Sequence, residues 1–238
     1  MFRRINNKYQ WKKINYASFT DKHKKTIFKK SYYAPLINNK HVKNTVKLNK
    51  NLIITGPNAS GKTTILKSTT INIIFTQQFG CGFYESANIN PYKYIHCYIN
   101  IPDTSGRDSL FQAEARRCKE ILDIVNSNKS DSHFCIFDEL YSGTNPDEAV
   151  ISAIAFMEYL IKNKNVSCLL TTHFLKVAKK LKKNIGISNQ HMITTKTNNK
   201  INYSYTLKEG ISEIKGGINV LCEMNYPQEI IDKTIMID

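Results

Sequence analysis

No run in this sequence approaches the roughly 20 apolar residues that span a bilayer, and the opening residues MFRRINNKYQ lack the apolar centre of a secretory leader. A soluble, intracellular protein without a membrane partner is the expectation. The six cysteines, Cys81, Cys97, Cys118, Cys135, Cys168 and Cys222, never fall in the CxxC spacing of a zinc or redox site, and they read as buried, reduced thiols. Internal repeats are absent. Acids are scarcest at the N-terminus, where residues 1–50 hold 14 Lys or Arg against Asp21 alone, which accounts for +13 of the net charge of +15. A second acid-free stretch runs from residue 171 to residue 208.

Such asymmetry suits DNA as a partner, because each neutralised phosphate releases condensed counterions. A solvated basic surface fits as well, since the joint enrichment in Lys, Asn and Ile is also what an AT-rich coding sequence produces. Both readings stand at this level. With 41% hydrophobic residues among 238, the chain has ample material for a core.

Apolar residues before position 48 keep no sustained period, and lysines intermingle there with Tyr9, Trp11, Tyr16, Phe19, Phe28, Tyr32 and Tyr33. Aromatics among cations stack on bases in some proteins, but in a folded chain they more often pack on the core. Residues 1–48 are therefore expected to be a basic segment packed against a domain spanning 49–238. Within that domain, residues 51–55 read as a buried strand, 62–76 as a helix, 94–101 as a strand and 110–125 as a helix with apolar and charged faces. Next come a buried strand at 134–137, an apolar helix at 149–161, a strand at 166–171 and a basic helix at 175–181. The alternating residues 201–207 suggest an edge strand, 196–200 a hairpin turn or short loop, and 227–235 a last helix with Pro227 in its first turn. Strands alternating with helices predict an α/β fold whose sheet is mostly parallel and flanked by helices.

The chemistry concentrates in three places. Gly56-Pro57-Asn58-Ala59-Ser60-Gly61-Lys62-Thr63-Thr64 matches G-x-x-x-x-G-K-[ST] in full and sits between a predicted strand and a predicted helix, the context of a P-loop. Its glycines let backbone N–H groups turn inward around the phosphates of ATP, and the following helix points its positive end at them. Lys62 is expected to neutralise the β- and γ-phosphates and the Thr63 hydroxyl to ligate Mg²⁺. Further along, His133-Phe-Cys-Ile-Phe-Asp138-Glu139 is an apolar strand ending in two acids. Two acids at that point also suit the cap of a following helix; beside a P-loop, Asp138 is expected to hold Mg²⁺ and Glu139 to polarise the attacking water. Finally His173 follows the apolar run 166–172. Carboxyl ends of parallel strands share one edge, so Asp138, Glu139 and His173 are expected to face the P-loop, with His173 near the γ-phosphate or the water.

These residues resemble the ATPase domain of the MutS family, the mismatch-repair branch of the ABC ATPases. ITGPNASGKTT is similar to the family's ITGPNM(A/G)GKST, DELYSGTNPDEA to DE(L/I)GRGTSTYDG without a gap, and TTHF to (A/T)TH(F/Y). Asp108-Ser-Leu-Phe-Gln-Ala-Glu114 resembles STFMxE, with Ser109, Phe111 and Glu114 in register, and residues 216–231 resemble the family's closing segment. Tyr141 and Ser142 depart from the family's Gly and Arg, and Ala59-Ser60 from its Met-(A/G). The LSGGQ-like signature of other ABC-type ATPases does not occur.

The resemblance implies a P-loop NTPase of the ABC type that hydrolyses ATP with Mg²⁺ and couples dimerisation, with itself or with a related MutS-like chain, to DNA binding in mismatch repair. It further implies a composite site, in which one chain supplies Lys62, Thr63, Asp138, Glu139 and His173 and the other covers the γ-phosphate with Ser109 and the helix that follows. A plain N-cap role for Ser109 is compatible with that. The different-class alternative is a nucleotide-gated DNA-binding scaffold with incidental turnover.

Overall fold

A computed structural model of the chain describes residues 14–21, 26–39, 41–101, 109–197, 200–214, 221–222 and 224–237. Tyr9 and Trp11, Asp108, the tip of the 196–200 turn and residues 216–220 of the closing segment lie outside the described residues. The chain begins with β1 (Asn15–Phe19), β2 (Ile27–Ser31), a 3-10 turn (Ala34–Leu36), β3 (Asn44–Lys47) and β4 (Asn51–Thr55). It continues through α1 (Lys62–Phe79), β5 (Cys81–Gly82), β6 (Ser86–Ile89), β7 (Tyr94–Tyr98), α2 (Leu110–Ser127) and β8 (His133–Asp138). Then come α3 (Pro146–Leu160), β9 (Val166–Thr172), α4 (Leu175–Leu181), β10 (Ile187–Thr197), β11 (Lys200–Glu209) and α5 (Gln228–Ile237).

The larger sheet has the order β11-β10-β4-β9-β8-β7; every neighbouring pair is parallel except the antiparallel hairpin β10–β11 at one edge. Its central strands β4 and β9 are buried along their whole length, and β8 along all but its last residue, which is why they read as unbroken apolar runs. Successive residues nonetheless serve different cores. Ile53, Cys135, Phe137, Cys168 and Leu170 face a layer built from α2, α3 and α4, whereas Leu52, Ile54, Phe134, Ile136 and Leu169 face α1 and the smaller sheet.

That smaller sheet, in the order β3-β2-β6-β1-β5, is mixed, and it holds the strands that sequence reading left without a period. The reason is local. β1 is exposed at four of its five positions, and β2 and β3 are only four or five residues long, so no alternation lasts long enough to register. Phe28, Val46 and Leu48 pack in the same core as Leu52 and Ile54 of β4, and Tyr32 is buried too, whereas Tyr16 and Phe19 stay exposed. Of the six cysteines, all free, Cys118, Cys135 and Cys168 are buried; Cys81 and Cys222 are half-buried and Cys97 is exposed, so the expectation of buried thiols holds for three.

The eleven-residue β10 was not foreseen. Its sequence, ISNQHMITTKT, is polar at most positions, and among its described side chains only Ile187 and Met192 are buried. Among the described residues, no helix is long and apolar enough to cross a membrane.

Candidate functional site

β4 delivers the chain to the loop 56–61, and α1 leaves from it. Gly61 caps α1 in the left-handed region (φ 95°), and a Cβ there would approach Tyr205 to 3.1 Å, so both conformation and packing call for glycine. Ala59 is also left-handed (φ 62°), which folds the loop back over the first turn of α1. Gly56 has Ser60 Oγ 2.8 Å from where its Cβ would stand. Ser60 Oγ is itself buried, with no hydrogen-bond partner among the described residues.

Lys62, only 5% exposed, lies along the loop: its Nζ donates to Gly56 O at 3.0 Å and Pro57 O at 3.2 Å, and stands 3.3 Å from Glu139 Oε1. Asp138 ends β8. Its Oδ1 accepts from Thr63 Oγ1 at 3.2 Å and from Thr171 Oγ1 on β9. Glu139 accepts from the His173 backbone N–H at 3.1 Å and from the His173 ring Nδ1 at 2.5 Å, both on Oε2. The expected gathering of Lys62, Thr63, Asp138, Glu139 and His173 is thus present at the carboxyl edge of β4, β8 and β9. Thr171 belongs to it too; it sits within the quoted TTHF stretch, but its role depends on β9 lying beside β8.

Electrostatics in this cluster favour an ionised Glu139. Burial alone raises its carboxyl, but the hydrogen bonds from His173 and the Lys62 charge outweigh that and hold it below the usual carboxylate range.

The turn after β8 is braced from α2. Glu114, 2% exposed, accepts from Ser142 N at 3.2 Å, Ser142 Oγ at 3.0 Å and Gly143 N at 3.1 Å. Gly143 has no room for a side chain, because Leu110 Cγ lies 2.6 Å from where a Cβ would be. Glu139 (φ 55°) and Tyr141 (φ 57°) are left-handed within this turn, and Tyr141 N donates to Tyr98 OH at 3.3 Å. Glu114 was visible in the sequence only as a motif residue in register; its bracing role needs α2 packed against the turn.

Ser109 is the N-cap of α2, in a complete capping box with Gln112: Gln112 N donates to Ser109 Oγ at 3.3 Å and Ser109 N to Gln112 Oε1 at 2.8 Å. It is exposed, and its side-chain bonds do not reach the loop 56–64.

A cavity of about 190 Å³ opens beside Gly61 and Thr64. Tyr32, Tyr33, His41, Met192 and Tyr205 wall it, and the Tyr32 and His41 rings stack at 4.4 Å. Sequence reading missed these walls, since they come from three separate parts of the chain and no spacing links them.

Residues 52–237 match the model of the family described as MutS domain V. The chain belongs to the MutS domain V family. Among curated MutS relatives, it is 28% identical over 200 residues to the DNA mismatch repair protein MutS of Persephonella marina, covering 82% of this chain and 22% of that one. The corresponding protein of Clostridium perfringens is 29% identical over 188 residues, covering 78% and 20%. The DNA mismatch repair protein Msh3 of Dictyostelium discoideum is 27% identical over 208 residues, covering 80% and 14%. The chain therefore spans less than a quarter of the length of these MutS relatives.

Proposed function

We propose that this MutS-family chain is a P-loop ATPase of the ABC type that hydrolyses ATP with Mg²⁺ and couples dimer closure to DNA handling in mismatch repair. One observation carries the reading: Lys62, Thr63, Asp138, Glu139 and His173 converge around a glycine-turned loop at the N-terminus of an 18-residue helix. The helix end and the loop amides favour an anion, and the unpartnered Ser60 hydroxyl supplies one more polar contact.

For the metal, Thr63 Oγ1 and Asp138 Oδ1 lie 3.2 Å apart. Adjacent ligands of an octahedral ion with bonds of about 2.0–2.1 Å stand roughly 3 Å from each other, so the pair suits Mg²⁺. Such an ion would take its other ligands from phosphate and water. Mg²⁺, when bound, supplies positive charge to the β- and γ-phosphates.

In the reaction, Lys62 exchanges its bonds to Gly56 O and Pro57 O for phosphate oxygens. Glu139, ionised and oriented by His173, accepts a proton from the attacking water. The purine lies in the aromatic cavity beside Gly61, where Tyr32, His41 and Tyr205 offer ring faces and few polar atoms. Ser109 and the N-terminus of α2 cover the γ-phosphate of the partner chain's nucleotide.

The deciding experiment measures ATP affinity and steady-state turnover together. Lys62→Ala should abolish ATP binding; undiminished affinity would sink the reading. Tight binding with no turnover above background in the parent protein would favour a nucleotide-gated scaffold.

A further inference from the structure

A groove runs along β10 on the α4 side, away from the P-loop cluster. One part, about 980 Å³, is lined by Leu175, Lys179 and Lys182 from α4 and its end, His191 and Thr194 from β10, and the segment Lys208 to Ile214. The other, about 500 Å³, adds Lys47, Asn49, Lys50 and Asn189. The two share Lys182, Glu209, Gly210 and Ile211, so they form one continuous channel. Along the strand it extends from Ile187 to Thr194, seven steps of about 3.3 Å, or about 23 Å.

Three features define its chemistry. Lys47, Lys50, Lys179, Lys182 and Lys208 are all exposed, and none has an ion-pair partner among the described residues. Lys30, Lys93, Lys119 and Lys176, by contrast, pair with acids. Two acids, Glu209 and Glu213, share the wall and leave the lining positive. On the floor, Asn189 Oδ1 and His191 Nδ1 are buried without a hydrogen-bond partner among the described residues.

We infer that this groove binds the sugar–phosphate backbone of a nucleic acid. The reason is the spread of the charge. A single phosphate needs cations gathered at one point, whereas here Lys179 and Lys208 line one part of the groove, Lys47 and Lys50 the other and Lys182 both, a distribution that suits a polymer carrying one negative charge per about 3.4 Å of each strand. Lysine, a compact point charge on a flexible stem, suits phosphate contact without base readout. Of the floor atoms, Asn189 Oδ1, an acceptor, suits a sugar hydroxyl, and His191 Nδ1, in the tautomer that carries its hydrogen there, suits a phosphate oxygen. The far wall is tied to the loop cluster: Ser212 N donates to Thr55 Oγ1 at 2.8 Å, one residue before Gly56.

The inference rests on the nucleic-acid part of the proposed function and not on ATP hydrolysis, and its test keeps the two apart. The full chain is titrated with labelled duplex DNA of arbitrary sequence, the same sequence as duplex RNA, and polyglutamate of matched charge, between about 50 and 200 mM salt. The variant Lys179→Gln/Lys182→Gln/Lys208→Gln should flatten the slope of log K against log salt by about 2.7, at about 0.9 per phosphate lost. A control, Lys129→Gln/Lys162→Gln/Lys164→Gln, removes equal charge at a different surface and should leave the slope near its parent value. Each groove substitution alone should flatten it by about 0.9, so the inference stays testable even where the triple variant loses its fold.

Equal flattening by both triples would show a diffuse charge effect and overturn the inference, as would an unchanged slope in the groove variants. Polyglutamate binding as tightly as duplex would overturn it in favour of an acidic polypeptide. The DNA and RNA arms identify which polymer is held more tightly. A groove that fails while ATP turnover persists removes this inference alone, and a parent protein without turnover but with the stated slopes removes only the ATPase reading.

Discussion

Glu139 meets two demands that pull in opposite directions. In its proposed role as a base it must be ionised, and as a half-buried group it resists ionisation; the His173 hydrogen bonds and Lys62 together favour the charged form. Glu139→Gln keeps the shape and loses the base. ATP should still bind while steady-state turnover falls by ~10²–10⁴; turnover near the parent value would place water activation elsewhere. Tyr141 illustrates a different compromise. Its left-handed backbone suits the glycine found at this position in the family's motif, yet the side chain is buried between Phe111 and Phe156, with ring centroids 5.7 and 6.2 Å away. Removing a buried aromatic costs about 3–5 kcal/mol, and relief of left-handed strain returns roughly 1–2. Tyr141→Gly should therefore lower stability by about 1–4 kcal/mol in urea unfolding, whereas a gain would mean that the strain outweighs the packing.

At the scale of elements, Glu114 ties α2 to the turn after β8. Glu114→Ala would remove the acceptor of the part-buried Ser142 and Gly143 N–H groups, each bond to a charged acceptor being worth about 1.5–3 kcal/mol at most and less where water takes its place. Turnover should fall with stability, and Glu114→Gln, which keeps one acceptor, should recover much of both; equal damage from the two variants would mean that the charge itself matters, not the brace. Far from this turn, buried His96 in the middle of β7 and His133 at the start of β8 share a hydrogen bond of 3.0 Å, and His133 Nε2 donates to Asn128 O at 2.9 Å. Burial first, then the neighbouring His133 and Arg117, pushes His96 down to about 4 from 6.5. Between those two values the unfolded chain holds a proton that the folded chain refuses. Stability should thus be intact above about pH 6.5 and decline as pH falls toward 4, by at most about 1.4 kcal/mol per pH unit from this group. His96→Gln, which does not titrate, should flatten that part of the urea-midpoint profile.

For the whole molecule, the proposed sharing of sites across a dimer makes a prediction that no single chain can satisfy. A Ser109→Arg variant blocks closure but keeps its own P-loop, and a Lys62→Ala variant keeps its Ser109. Mixed as a heterodimer, the two inactive proteins should regain one working site and part of the ATPase activity. A flat result, with heterodimer formation confirmed separately, would reject the composite site and leave nucleotide binding untouched; Ser109 would then serve only in the capping box seen with Gln112.

Much of the larger sheet was legible in the residues. Strands buried on both faces are mostly apolar, so β4, β8 and β9 were legible, and the loop 56–61, the two acids and His173 follow from being attached to their ends. The helices were legible too, α1 from its place after the glycine-rich loop and α2 from its apolar and charged faces, each running a few residues further than expected. What tertiary structure decided are contacts between segments distant in the chain. No period marks the short, half-exposed β1, β2 and β3, because a strand read from its own residues needs a face that stays buried for several alternations. The polar β10 owes its place to backbone pairing with β4 and β11, which leaves little trace in side chains. Likewise, Tyr32, His41 and Tyr205 meet only because β3 and β11 fold toward the start of α1, and Glu114 becomes a brace only once α2 lies on the turn. Local sequence specified the chemistry at strand ends, where one residue's neighbours along the chain are also its neighbours in space; packing chose everything that lies across a gap.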